Sequence, residues 1–156
     1  MNDIPIYTYQ REHFTISTDP ALLNLDVIHG YLYHAYWCPG IPRDRVAAAL
    51  PHSFNFGLYE GTQQLGLARV ITDYTSFAYL CDVFVLKSHR GLGLGTWLIE
   101  CVVNCPTLAG IRNFFLATAD AHGLYEKFGF ATVSNPERLM VKAFAMPWRD
   151  EGLIEE

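Results

Sequence analysis

The chain has no cluster of lysine and arginine. Its basic residues number 11 against 16 acidic ones, for a formal net charge of −5. Nucleic acid and anionic membrane surfaces are therefore poor partners. No apolar run is long enough to span a bilayer, and the first residues lack the basic-then-apolar order of a secretory signal. The expectation is a soluble, cytoplasmic protein. Cysteine is sparse and unpaired in pattern: Cys38, Cys81, Cys101 and Cys105 form no C-x-x-C. Cys101 and Cys105 fall one helical turn apart on an apolar stripe. That placement suits reduced core thiols rather than a redox or metal site, so no metal is expected. Repeats and low-complexity tracts are also missing. With 156 residues, 51% apolar and 17% charged, the chain reads as one globular domain. That domain is expected over residues 1–146, with a charged tail, PWRDEGLIEE, over 147–156.

What the chain does have is the stretch DVFVLKSHRGLGLGTWLIEC, residues 82–101. Val83, Phe84, Val85 and Leu86 are an apolar, β-branched and aromatic run, which predicts a strand. The turn Arg90-Gly91-Leu92-Gly93-Leu94-Gly95 follows. After it, Leu94, Leu98, Cys101 or Val102, and Cys105 recur at helical spacing. A strand, a glycine-rich turn and a helix present bare backbone N–H groups to a phosphate, with the helix dipole assisting. Three glycines in five residues weaken a helix start by roughly 0.5–1 kcal/mol each relative to alanine, unless something uses the exposed backbone. The alternative is a turn that serves only strand–helix packing.

Two familiar phosphate loops do not fit. A Walker loop needs Lys then Ser or Thr after its last glycine, and Gly95 is followed by Thr96-Trp97. A dinucleotide fingerprint needs a third glycine where Thr96 stands, and it normally opens the first βα unit. A third design, Arg-x-x-Gly-x-Gly, is met by Arg90, Gly93 and Gly95. Here the chain resembles the GNAT superfamily of N-acetyltransferases, whose acetyl-CoA pyrophosphate turn has that form. Downstream, Ala121, Tyr125, Gly129 and Phe130 stand as A-x-x-x-Y-x-x-x-G-F, which is also similar to the GNAT pattern.

The order of expected elements resembles that family over nearly the whole chain. Residues 13–17 alternate as a strand, and residues 24–37 suit a helix capped by Asn24 or Asp26. A short helix from Pro42 to Leu50 follows. Strands at 54–60, 64–73 and 76–86 form an antiparallel meander. Residues 112–118 predict a strand parallel to the one before the glycine turn, because a helix separates the two. A short helix over 121–128 ends at Gly129, and strands at 130–133 and 138–144 close the chain. The fold class is therefore α/β of mixed α+β character. It is a GNAT-like sheet, mostly antiparallel, with a parallel, splayed central strand pair and flanking helices.

The chemistry follows from that resemblance. Acetyl transfer to an amine requires the amine to lose a proton from a pKa near ~10.4, the carbonyl oxygen to meet a donor, and the leaving thiolate, pKa near ~8.5, to gain a proton. The resemblance assigns the pantetheine arm and the acetyl carbonyl to Val83, Phe84 and Val85. It assigns the phosphates to Arg90, Gly91, Leu92, Gly93, Leu94, Gly95 and Thr96, and a further arm contact to Thr118. Tyr125 is the candidate acid. Two positions depart from the family: Lys87 stands where proline is frequent, and Thr118 where asparagine is frequent. The base is open: Asp82 is the first candidate, with Asp73, Asp120 and His122 as rivals, and each has a plain reading as a turn cap or solvated group. The aromatic run Tyr31, Tyr33, Tyr36 and Trp37 is either core packing or the wall of an acceptor pocket. Tyr31, Trp37, Asp73, Tyr79 and Asp82 are the candidate acceptor contacts. The acceptor expected is a small-molecule primary amine, attacking acetyl-CoA directly. The competing reading is a non-catalytic acyl-CoA sensor. Family members are often dimers, which allows a homodimer here.

Overall fold

The computed structural model describes residues 3–149. Six strands form one sheet in chain order: β1 (Thr8–Arg11), β2 (Phe14–Ser17), β3 (Phe54–Glu60), β4 (Gln63–Thr72), β5 (Phe77–Val85) and β6 (Asn113–Leu116). Every pairing is antiparallel except β5 with β6, which is parallel as the intervening helix required. Among the described residues, four α-helices flank the sheet: α1 (Leu25–Leu32), α2 (Arg43–Ala49), α3 (Leu94–Val103) and α4 (His122–Glu126).

Both sheet faces are covered. Leu98, Ile99 and Val102 of α3 bury against Ile16, Phe56, Leu58, Leu65 and Val70. Ile28 and Leu32 of α1 and Val46 of α2 bury against Leu67 and Phe84 on the other face. This is why β3 and β4 are apolar almost throughout: neither side of these strands meets water.

Several expectations change. Strand β1 was not foreseen. It pairs with β2 across a turn at Glu12, whose φ is +55°. Helix α1 begins where expected, with Asn24 Oδ1 accepting from the Val27 amide at 3.2 Å. It stops at Leu32 rather than Trp37. The Gly40 amide donates to the Tyr33 carbonyl at 2.8 Å, and that turn releases Tyr36 and Trp37 toward the sheet. The expected strands at 130–133 and 138–144 do not form. Among the described residues, 131–146 hold only a 3-10 turn at Pro136–Arg138. A strand exists only through a ladder partner, and neither segment has one. As a result the parallel pair lies at one edge of the sheet, not at its centre. The expected tail also starts too early. Trp148 is buried in the α1–α2 cluster and its indole donates to the Pro39 carbonyl at 3.0 Å. Residues 150–156 of that tail lie outside the described residues.

Candidate active site

The parallel pair splays. Its register ends at Leu80 opposite Leu116, while β5 continues along β4 to Val85. A bulge drives the separation. Leu67 faces Phe84 and Arg69 faces Cys81, so β5 spends one residue more than β4 there. Asp82 sits in this bulge with φ +52°. A bulge bends and twists its strand, and here it carries β5 away from β6. The gap opens into a cleft of about 1300 Å³.

Backbone direction within the splay follows from one hydrogen bond. The Leu86 amide donates to the Leu65 carbonyl at 2.8 Å, so even-numbered residues of this segment face β4. Alternation then turns the peptide groups of Val83 and Val85 toward the side that β6 has left. The Val85 carbonyl is indeed met from that side, by Arg90 Nε at 3.1 Å. Phe84 is different: its peptide faces β4, and its ring stacks on Tyr31 at 4.1 Å and 8°. Of these three residues, Val83 lines the cleft.

The cleft ends at Lys87 and Arg90, where the glycine turn begins. Gly91 and Gly93 have φ of +79° and +75°, and Gly93 is the N-cap residue of α3. Trp97 is the first helical residue whose amide is used, donating to the Gly93 carbonyl at 3.1 Å. The amides of Gly91, Leu92, Gly93, Leu94, Gly95 and Thr96 have no partner among the described residues. A Cβ at Gly91 or Gly93 would meet open space. The glycines therefore serve conformation and access to the backbone, not tight packing. A row of free N–H groups at a helix start fits a pyrophosphate.

Arg90 is tied on both sides, to the Val85 carbonyl and to the Tyr31 hydroxyl at 3.0 Å. It joins the end of β5 to α1. Thr118 lines the cleft and its Oγ1 accepts from the Ala121 amide at 3.0 Å, closing the turn that precedes α4. Tyr125 on α4 is buried, lines the cleft, and packs its ring edgewise on Phe130. Its hydroxyl has no hydrogen-bond partner among the described residues. Burial, with smaller contributions from Tyr36 and Asp120, raises its pKa above the ordinary 10.0.

The acceptor side is built by α1, the turn after it and β5. Tyr31, Trp37, Tyr79 and Asp82 all line the cleft. Asp82 is held firmly: Oδ1 accepts from Trp37 Nε1 at 2.9 Å and Oδ2 from Arg69 Nε at 2.8 Å. Arg69 also donates to Ser53 Oγ at 3.0 Å. Asp73 is not brought to the cleft. Its carboxylate caps the β4–β5 turn, accepting from the amides of Thr75, Ser76 and Phe77 and from the Ser76 hydroxyl. The Ser76 hydroxyl and those amides hold its pKa well below the carboxylate range.

Two further residues complete the site: Arg69, which sequence reasoning missed, and Tyr36, which it named only within the aromatic run. Arg69 carried a signal, since a lone arginine in an apolar ten-residue strand needs a buried partner. For Tyr36 the aromatic run gave no partner: its hydroxyl accepts from the Ala119 amide at 3.3 Å and bridges the cleft from the turn after α1 to the loop after β6. Cys81 also lines the cleft, and burial pushes its thiol up to about 11. All four cysteines are free.

A family model described as an acetyltransferase (GNAT) domain matches residues 51–132. The chain belongs to the GNAT acetyltransferase family. A crystal structure from Xanthomonas campestris pv. campestris, described as a putative acetyltransferase of the GNAT family, is 43% identical. It matches with a TM-score of 0.83, covering 86% of this chain and 96% of that one. A Gibberella zeae protein named putative acetyltransferase FG08082 is 34% identical, over 76% of this chain and 79% of that protein. Glucosamine-6-phosphate N-acetyltransferase from Arabidopsis thaliana shares the fold at 19% identity and a TM-score of 0.60, covering 86% of this chain and all of that one (100%). No helix among the described residues is long and apolar enough to cross a membrane.

Proposed function

We propose that this GNAT acetyltransferase moves the acetyl group of acetyl-CoA to a primary amine of a small molecule by direct attack. The observation that carries this reading is the splayed β5–β6 cleft. It has the free amides of the glycine turn at one end and, on the α4 side, the unpartnered hydroxyl of Tyr125, a buried residue whose oxygen opens on the cleft. Acetyl-CoA supplies the activated acyl group, a thioester. The amides of residues 91–96 hold its pyrophosphate, with Arg90 fixing the turn. The outward-facing peptide groups of Val83 and Val85 bind the pantetheine arm and donate to the carbonyl oxygen as it gains charge. Tyr125 gives its phenolic proton to the leaving sulfur.

The aromatic wall of Tyr31, Trp37 and Tyr79, with the carboxylate of Asp82, receives the amine. Asp82 acts by position, since it holds Trp37 and Arg69 while adding negative charge to the cleft. The proton of the amine leaves to water at the open mouth beside exposed Tyr36 and His34. Direct attack is favoured over an acetyl-cysteine route because Cys81 stays a thiol, and the thiolate is the nucleophile.

The test is release of free CoA thiol with acetyl-CoA and a panel of small amines. Turnover supports the reading. Tight acetyl-CoA binding with no turnover on a broad panel makes the protein a sensor instead. Two predictions sharpen it. Gly93→Val forces a branched residue to φ +75°, at a strain on the order of 1–2 kcal/mol, and crowds the amides. Calorimetry should show acetyl-CoA affinity falling at least about tenfold, with an unchanged Kd counting against the cradle. For pH, the neutral fraction of an amine with pKa near ~10.4 grows about tenfold per unit below that value. Tyr125 stays protonated beyond the ordinary phenol range. So kcat/KM should climb from pH 6 to 9 with no falling limb below pH ~10. A bell centred near neutrality would exclude Tyr125 as the acid.

A further inference from the structure

Most of the charge in the cleft is already paired. Its three carboxylates are Asp26, Asp82 and Asp120. Asp26 Oδ1 accepts from Arg43 at 2.7 Å. Asp82 accepts from Trp37 and Arg69. Asp120 is exposed, and its carboxylate takes no hydrogen bond or ion pair from the described residues. Its charge is felt at the reacting end, where it adds to the upward shift of the Tyr125 phenol. The cations of the cleft, Lys87 and Arg90, stand at the start of the glycine turn.

Aromatic surface, by contrast, is plentiful and continues beyond the cleft. Tyr79 lines the cleft, and its ladder neighbours are Ile71 on β4 and Phe115 on β6. Phe115 in turn stacks on Phe77 at 5.5 Å and 28°. Alternation sets Phe77 and Tyr79 on one face of β5. That face is left partly open to water, with Ile71 41% and Phe77 43% exposed. On the α1 side, Trp37 is fixed by its indole bond to Asp82, and Tyr36 packs edgewise on it at 5.1 Å and 88°. The Tyr36 hydroxyl then ties this wall to the Ala119 amide, the residue before Asp120. One unpaired negative charge therefore stands beside a run of rings.

We propose that the acceptor is an arylalkylamine, a flat aromatic ring joined by a short chain to a single primary ammonium. The proposal deepens the acetyl-transfer reading and rests on it. Asp120 draws the ammonium toward the Tyr125 hydroxyl. The ring settles on Tyr79 and faces Trp37, where ring–ring contacts add to the burial of apolar surface. A polyamine would bring several ammonium groups to one free carboxylate. An amino sugar would bring hydroxyls against apolar walls that cannot pair them. The transfer balances: the N–C bond forms as the C–S bond breaks. Of the two protons the ammonium loses, one goes to water and one is made good on the CoA sulfur through Tyr125.

The test compares kcat/KM at fixed acetyl-CoA for phenethylamine, cyclohexylethylamine, spermidine, glucosamine and a lysine-containing peptide. Phenethylamine should be the best of the set. It should exceed its cyclohexyl analogue, equal in charge and chain but without a π-face, by about two- to tenfold. Equal values for the two, or a higher value for any other amine, overturn the proposal. Tyr79→Leu should bring the two ring amines within about twofold of each other. Asp120→Asn should raise KM for phenethylamine at least about threefold. Inhibition by phenylethanol, the uncharged analogue, should stay unchanged in that variant. An unchanged KM overturns the role of Asp120. If no amine is turned over, the acetyl-transfer reading itself fails, and calorimetry in saturating CoA decides the pocket. Tighter binding of phenethylamine than of its cyclohexyl analogue upholds the ring site, while equal binding or none overturns it.

Discussion

Tyr125→Phe should lower kcat for acetyl transfer by about a hundredfold, the lower range for a positioned general acid, while leaving acetyl-CoA affinity within about threefold. The basis is the environment of the hydroxyl. Tyr125 is 8% exposed and its ring rests against Phe130. Its oxygen nevertheless meets no partner among the described residues and opens on the cleft. Removing it breaks no internal hydrogen bond, so stability should not change: the melting temperature should stay within about 2 °C. A merely structural tyrosine would give the reverse, with activity preserved per folded molecule and a lower melting temperature. Steady-state kinetics and a thermal melt on the same preparation separate the two.

Asp82→Ala should cost the fold on the order of 3 kcal/mol, seen as a fall of roughly 6–12 °C in melting temperature. Asp82 and Arg69 have side chains only 13% and 16% exposed. Truncating the acid leaves a guanidinium in a largely dry site with Ser53 as its remaining side-chain partner. It also frees Trp37, and it puts alanine at φ +52°. Asp82→Gly should lose less, because glycine accepts that backbone angle without strain. Adding Arg69→Leu to Asp82→Ala should restore part of the loss, since the stranded charge goes with it. Urea titrations of the three variants measure this. A shift under about 2 °C for Asp82→Ala would mean the pair holds neither the bulge nor the wall.

Much of the site was legible because it is local. The glycine turn, its preceding strand and α3 form one continuous window, and the positive φ values at Gly91 and Gly93 fall on residues that tolerate them. Asn24 capped α1 as its side chain suggested. Asp73 was misjudged for the same local reason: a carboxylate three residues before Ser76 in a tight turn is more valuable as a cap than as a ligand.

The residues themselves determined the family, the parallel crossover and the position of the glycine turn before α3. Each of these needs only periodicity, a turn type or a short motif. The tertiary structure alone decided which groups meet across the cleft. Trp37 reaches Asp82 over 45 residues, Arg90 reaches Tyr31 over 59, and Tyr36 reaches Ala119 over 83. It also decided the fate of the closing strands. A strand pattern says that a segment can pair, but pairing belongs to two segments at once. The pattern at 139–146 names no partner, and among the described residues no strand pairs with it.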